Sequence, residues 1–191
     1  MNGYDFDNTI YNGDSFVHFY FYTILKRPFL ILIAPFQMLA GSLFGLRIIR
    51  KKQLKQCLMF NLKFFSNKEK LLTKFWDKHI KNLKPWYLEQ KQANDIIISA
   101  SPEFLVKHAC DRLGLKFVYG TNMNIKTQKI QGENCWGDEK VKRFEKEFGK
   151  NVVLKTFYSD SLSDMPMMQK AEQGIFVKGN QREIIYQSSK S

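Results

Sequence analysis

Cysteine is scarce in this 191-residue chain, and the three present, Cys57, Cys110 and Cys135, are odd in number and widely spaced. That excludes a disulfide framework and a Cys-rich zinc site, and it suits a reducing cytoplasm. Acids are scarce too, but only in one block. Residues 12–92 hold 15 Lys and Arg against 4 Asp and Glu, whereas the rest of the chain holds 15 against 14, so nearly all of the +12 charge lies in that block. There is no internal repeat and no low-complexity tract. No helix-turn-helix, zinc or RNA-stacking motif accompanies the positive charge, so no nucleic-acid partner is expected. A secretory leader is not expected, because an acidic motif occupies the first ten residues where a charged and then apolar segment would stand.

What is present is a folded composition, 44% hydrophobic with mixed charge. Residues 3–10 read as a short strand running into an acidic turn, and residues 12–92 as aromatic, basic and helical. Residues 93–178 alternate strands and helices. The strands are expected at 95–99, 115–119, 152–158 and 174–177, and the helices at 102–113, 139–148 and 163–170. Apolar strand runs alternating with helices imply an α/β fold, a Rossmann-like parallel sheet with helices on both faces. Ser101, Pro102 and Gly114 read as the cap, first position and exit of the first of these helices. Residues 121–134 read as a hairpin or loop, and Gln187–Ser191 as a frayed tail.

Four short segments fall at or beside the carboxyl ends of expected strands, where open α/β sheets place ligands. Asp5 and Asp7, two residues apart in Asp5-Phe-Asp-Asn-Thr9, can face one site as nucleophile and proton carrier. Ser99 ends an apolar run before a helix and can hold a phosphoryl oxygen. Lys140 is a cation able to offset charge on a transferring phosphate. Asp160 and Asp164, in Ser159-Asp-Ser-Leu-Ser-Asp164, offer oxygen ligands to a hard cation such as Mg²⁺. Taken singly, each is as well explained by a helix cap, a strand-end serine or a solvated lysine. Their common order and placement favour one site.

These motifs resemble those of the haloacid dehalogenase-like superfamily, nearest the phosphoserine-phosphatase-like branch. The resemblance implies a Mg²⁺-dependent phosphomonoester hydrolase in which Asp5 attacks phosphorus and Asp7 serves as acid and then base. It places Thr9, Ser99 and Lys140 on the substrate phosphate, with Thr9 also steadying the opening loop. It places Asp5, the Asp7 carbonyl, Asp160 and Asp164 around the metal. The metal segment departs from the family's Gly-Asp-Gly-x-x-Asp, with Ser159 and Ser161 in place of both glycines. Residues 1–11 and 93–191 then form the catalytic core, and residues 12–92 a small helical cap inserted after the first strand.

Inside that insertion lies an uncharged run of 18 residues, Phe29–Leu46, flanked by Lys26, Arg27, Arg47, Arg50, Lys51 and Lys52. A single membrane crossing would put Asp5 and Ser99 on opposite sides of the bilayer, although both must meet in one site. The run is therefore the buried face of a helical hairpin, or an interfacial segment with its basic flanks on anionic headgroups. The second reading is preferred. It expects a cytoplasmic protein in peripheral contact, through residues 26–52, with the inner face of the membrane. It also expects a lipid phosphomonoester as substrate; relatives in this branch include phosphatidylglycerophosphate phosphatases. The alternatives are a soluble phosphoserine-like metabolite and, more distantly, a non-catalytic module holding nucleic acid through the basic block.

Overall fold

The fold is drawn from a computed structural model that describes residues 1–188. Six strands form one sheet: β1 (Asn2–Tyr4), β2 (Ile96–Pro102), β3 (Phe117–Thr121), β4 (Leu154–Ser159), β5 (Ala171–Lys178) and β6 (Gln181–Gln187). Their order is β3-β2-β1-β4-β5-β6, parallel throughout except for β6, which runs antiparallel to β5. The central strand β1 is the shortest and pairs on both sides, Tyr4 lying opposite Ile97 and Tyr158. A Cβ on Gly3 would stand 2.7 Å from side-chain atoms of Leu154 and Phe157, so glycine makes room for side chains of the adjacent strand β4.

The sheet is covered on both faces, and the period-2 alternation of β2 assigns its residues to them. Ile97 packs into a cluster with Leu105 and Val106 of α6 (Glu103–Arg112). Ile96 and Ile98 pack on the other side with Phe144 of α7 (Asp138–Phe148) and with Met167 and Met168 of α8 (Met165–Met168). The expected α/β architecture is therefore present, with a helical insertion after the first strand.

The insertion comprises α1 (Ser15–Lys26), α2 (Ala34–Gly45), α3 (Lys51–Met59), α4 (Lys68–His79) and α5 (Pro85–Gln90), with 3₁₀ turns between several of them. Phe19, Phe75, Trp76 and Tyr87 from these helices belong to the same hydrophobic cluster as Tyr4, Phe6 and Ile97. Trp76 Nε1 donates to the Leu105 carbonyl at 2.9 Å, tying α4 to α6. The insertion is thus continuous with the core on one face of the sheet. His18 and His79 both approach the Tyr11 hydroxyl, at 2.7 and 3.3 Å, and serve as packing around it.

Some expectations need correction. The helix after β2 starts at Glu103, one residue later than expected, and Ser101 does not cap it. The strand runs on through Pro102, and the Ser101 hydroxyl is engaged elsewhere. The segment expected as a helix over 163–170 is a 3₁₀ turn (Leu162–Asp164) followed by the single turn of α8. Strand β6 was not anticipated. Its sequence is mostly polar because it is an exposed edge, and it is returned by a two-residue turn with Gly179 at φ +62°. Gln187 pairs with Gln173 in that hairpin, while residues 189–191 of the expected tail lie outside the described residues.

The apolar run is not the buried face of a hairpin. It folds as a 3₁₀ turn (Pro28–Ile33) and α2, and across Pro28–Gly45 only Leu30 and Gln37 are buried.

Candidate active site

Strands β2 and β4 leave β1 on opposite sides, and the crevice beyond the strand ends at such a point is where open sheets hold ligands. There the chain forms a cavity of about 350 Å³ whose walls include Asp5, Asp7, Ser99, Ser101, Lys140, Asp160 and Asp164. Every sequence-nominated site residue except Thr9 lines it.

Asp5 follows β1 directly, and its backbone N–H extends the ladder to the Tyr158 carbonyl at 2.9 Å. Its Oδ1 lies 2.9 Å from Lys140 Nζ, an ion pair without hydrogen-bond alignment. Burial is the largest influence on this carboxyl and pushes its pKa up to about 7; Lys140 opposes the rise, and Asp164 and Asp7 add to it.

Asp7 is held at both oxygens. Oδ1 accepts the Ser15 N–H at 2.7 Å, at the start of α1, and Oδ2 accepts the Ser101 hydroxyl at 2.5 Å. Burial, then the nearby Asp14, raise its pKa to about 6 against these two donors. Asn8 takes φ +55°, tolerable for asparagine, and the Lys84 ammonium caps its carbonyl, which fixes the turn between the two carboxylates and the insertion.

Thr9 is fully buried, and its hydroxyl is occupied by Asp160. It accepts the Asp160 N–H at 2.9 Å and faces Asp160 Oδ1 at 3.3 Å. It ties the opening loop to the acidic loop after β4 and does not reach the cavity.

Lys140 sits 1% exposed in the first turn of α7. Burial alone favours its neutral form, but Asp5 and Asp164 more than offset that and raise its pKa. Lys142, on the same helix, is exposed. Asp164 Oδ2 accepts both Lys140 Nζ at 2.6 Å and Ser159 Oγ at 2.7 Å. Ser159 Oγ also accepts the Ser161 N–H at 3.1 Å, and Ser161 Oγ bonds Ser163 Oγ at 2.7 Å. The serines that replace the family's glycines therefore build the loop by side-chain hydrogen bonds. No residue from 159 to 164 needs a positive φ.

Two residues of the site carried no motif signal. Ser101 read as a helix cap. Lys55 read as one more cation in the basic block, yet it reaches from α3 into the cavity wall with 6% exposure, donating to the Ala100 carbonyl and to Asn134 Oδ1, each at 2.6 Å. Burial, then Lys51, bring its pKa down to about 8. The rest of the insertion's wall is Asp14, Phe16, Val17, Phe44, Lys51, Leu54 and Leu58.

The donor set suits a hard divalent cation. Five carboxylates, Asp5, Asp7, Asp14, Asp160 and Asp164, line the cavity against two buried ammonium groups, and Asp164 Oδ1 is buried with no partner. The available ligands are all oxygen, as Mg²⁺ prefers. Among the described residues no three acidic side chains converge closely enough to form a finished cage, so the fit lies in the donor chemistry and the unsatisfied oxygens.

The family model for haloacid dehalogenase-like hydrolases matches residues 3–169. Protein CicA of Caulobacter vibrioides is 31% identical over 88 residues, covering 44% of this chain and 40% of CicA, so the match spans less than half of that relative. A protein of unknown function from Bordetella pertussis Tohama I shares the fold with TM-score 0.70 at 16% identity, over 92% of this chain and 88% of that one. The phospho-aspartyl intermediate analogue of phosphoserine phosphatase aligns with TM-score 0.51 at 19% identity, over 92% and 84% of the two chains. These two likenesses speak for the fold, and the family model, over most of the chain, for ancestry: the chain belongs to the haloacid dehalogenase-like hydrolase family.

Proposed function

We propose that this hydrolase is a Mg²⁺-dependent phosphomonoesterase working through a phospho-aspartate on Asp5. One observation carries the reading: Asp5, Asp7, Ser99, Lys140, Asp160 and Asp164, scattered over the sequence, line one cavity at the carboxyl ends of parallel strands. In the first step an Asp5 carboxylate oxygen attacks phosphorus while the bond to the leaving oxygen breaks and Asp7 gives that oxygen its proton. In the second, Asp7 takes a proton from water as the water attacks the phosphoryl group. The bond to Asp5 breaks and inorganic phosphate leaves. An acid with a pKa near 6 is suited to both roles at neutral pH. Lys140 offsets negative charge on the phosphoryl oxygens and on Asp5. Ser99 offers a hydroxyl to those oxygens. Asp5, the Asp7 carbonyl, Asp160 and Asp164 are the residues that would hold Mg²⁺, which when bound supplies positive charge to the transferring phosphoryl group.

For the substrate, likeness to phosphoserine phosphatase supports a small soluble ester. Asp14 on the same wall as Lys51 and Lys55 supplies both signs of charge that an amino-acid phosphate presents. Asp14 is one of only four acids in the insertion. A second reading, a phosphomonoester with an apolar tail such as phosphatidylglycerophosphate, is supported by Phe16, Val17, Phe44, Leu54 and Leu58 on that wall. The test is phosphate release with Mg²⁺ from a panel of soluble esters beside lipid phosphates in mixed micelles, with Asp5→Asn as control. Turnover that survives Asp5→Asn overturns the mechanism, and the preferred ester decides between the substrates.

A further inference from the structure

Helix α2 is built inside out. Its one buried residue is the polar Gln37, while Phe36 and Met38 are each 72% exposed and Leu39 57%. Leu32 before it and Leu46 after it are 74% and 70% exposed. Gln37 explains how such a helix stays attached. Its amide accepts from the Tyr20 hydroxyl at 2.8 Å and donates to the Cys57 carbonyl at 3.1 Å and to Asn61 Oδ1 at 3.0 Å. A buried polar network therefore holds the arm on α1 and α3 and turns the apolar side chains to solvent, the reverse of ordinary amphipathic packing.

An exposed apolar surface of this kind marks an interaction site. Its charge surroundings name the partner. From residue 15 to residue 68 there are nine Lys and Arg and no Asp or Glu. Arg27 precedes the apolar segment, and Arg47, Arg50 and Lys51 come after the end of α2, all exposed. Apolar side chains with cations at both ends match an anionic lipid surface, where the side chains enter the acyl boundary and the cations meet headgroups. A nucleic acid would use the cations and leave the apolar residues without a role. The helical segment Pro28–Gly45 is long and apolar enough to cross a membrane, but the buried Gln37 within it is hydrogen-bonded to Tyr20, Cys57 and Asn61, which holds it against the rest of the insertion and not across a bilayer.

We propose that the Pro28–Arg50 arm docks this protein peripherally on anionic membrane. Docking goes beyond the phosphatase reading and does not depend on it. The two meet at one place: Phe44 at the end of α2 and Lys51 at the start of α3 also line the candidate active-site cavity, so a docked arm brings the cavity mouth to the headgroup layer.

The test is vesicle flotation of the full chain at physiological salt, with phosphatidylcholine vesicles beside phosphatidylcholine vesicles containing phosphatidylglycerol. The paired variant Phe36→Glu, Leu39→Glu and, separately, Arg47→Glu are run alongside. Phe36, Leu39 and Arg47 lie outside the cavity wall, and the glutamates reduce exposed apolar surface, so folding and hydrolysis of a soluble ester are expected to persist. The expected result is flotation with anionic vesicles only, with partitioning about tenfold weaker or less in the paired variant and a smaller loss in Arg47→Glu. Absence of wild-type flotation overturns the proposal, as does wild-type binding by the paired variant. So does a dimer that the paired variant converts to monomer, because a second copy then covers the face. Hydrolysis of a soluble ester is scored separately, so failure of docking is not confused with failure of the phosphatase reading.

Discussion

Lys140 Nζ lies 2.6 Å from Asp164 Oδ2, and both side chains are almost wholly withdrawn from water. The pair joins α7 to the loop after β4, and the same ammonium reaches Asp5 at 2.9 Å. In the proposed mechanism, structure and chemistry depend on the same cation. Lys140→Met leaves two buried carboxylates without their counter-charge, and loss of one member of a buried pair costs about 3–5 kcal/mol. Urea unfolding of the metal-free protein is expected to show a loss of that order. Adding Asp164→Asn to Lys140→Met is expected to recover part of it, since it removes one of the stranded charges. Additive losses in the double variant would mean that the pair is not coupled.

Ser101 holds the carboxylate proposed to carry the proton. Ser101→Ala removes one of the two donors to Asp7, a hydrogen bond to a charged group worth about 1.5–3 kcal/mol. The expected result is a fall in kcat of about tenfold or more on an alkyl phosphate, with KM little changed. The fall on an aryl phosphate, whose leaving group needs little protonation, is expected to be smaller. Ser101→Thr, which keeps the hydroxyl, is expected to restore part of the rate. Equal losses on the two esters would assign Ser101 a purely structural role.

The two carboxyls proposed to carry the chemistry give the metal-free protein a pH signature. Asp5 and Asp7 stand at about 7 and about 6 in the folded protein, above the ordinary 3.8, with burial the main cause. The folded state therefore keeps protons that the unfolded chain releases above about pH 4. Their stabilising contribution is fully present below the unfolded value and is lost as pH rises through 6 to 7. Asp160 and Asp95 are shifted in the same direction, also by burial. In EDTA the thermal midpoint is expected to fall between about pH 5 and about pH 8. Asp5→Asn is expected to flatten that slope, and Mg²⁺ to raise the midpoint more at the higher pH, where it no longer competes with protons. A midpoint that rises with pH in EDTA would show that these carboxyls are not held above their ordinary range.

Much of the fold was legible because hydrophobic periodicity and strand-ending polar residues say where parallel strands stop. Ile96–Ile98 with Ser99, and the apolar run before Asp160, locate two neighbours of β1 without further help. The acids and lysine of the site were legible for the same reason, as they cluster at those ends. Ser101 was not, because a serine before Pro102 reads locally as a helix cap, and only the approach of Asp7 from 94 residues away redirects its hydroxyl. Lys55 was hidden because a buried lysine in a basic helix looks like its solvated neighbours until tertiary contacts show where it points. The edge strand β6 lacked period-2 alternation, its apolar residues falling together at Ile184–Tyr186, and was overlooked, although Gly179-Asn180 signals its turn. The apolar run was legible in composition but not in burial, since one glutamine, Gln37, decides which side of α2 faces inward.

The central claim is that a phosphoryl group passes through Asp5. The most direct measurement is rapid quenching of the Mg²⁺-loaded enzyme during turnover of a phosphomonoester it hydrolyses, followed by mass spectrometry of the peptide that carries Asp5 and Asp7. The account predicts a phosphoryl adduct on Asp5 that forms and decays with turnover, accumulates when Asp7 is changed to Asn and a good leaving group is used, and is absent in Asp5→Asn, which does not turn over. Turnover by Asp5→Asn, or an adduct on any other residue, would contradict it.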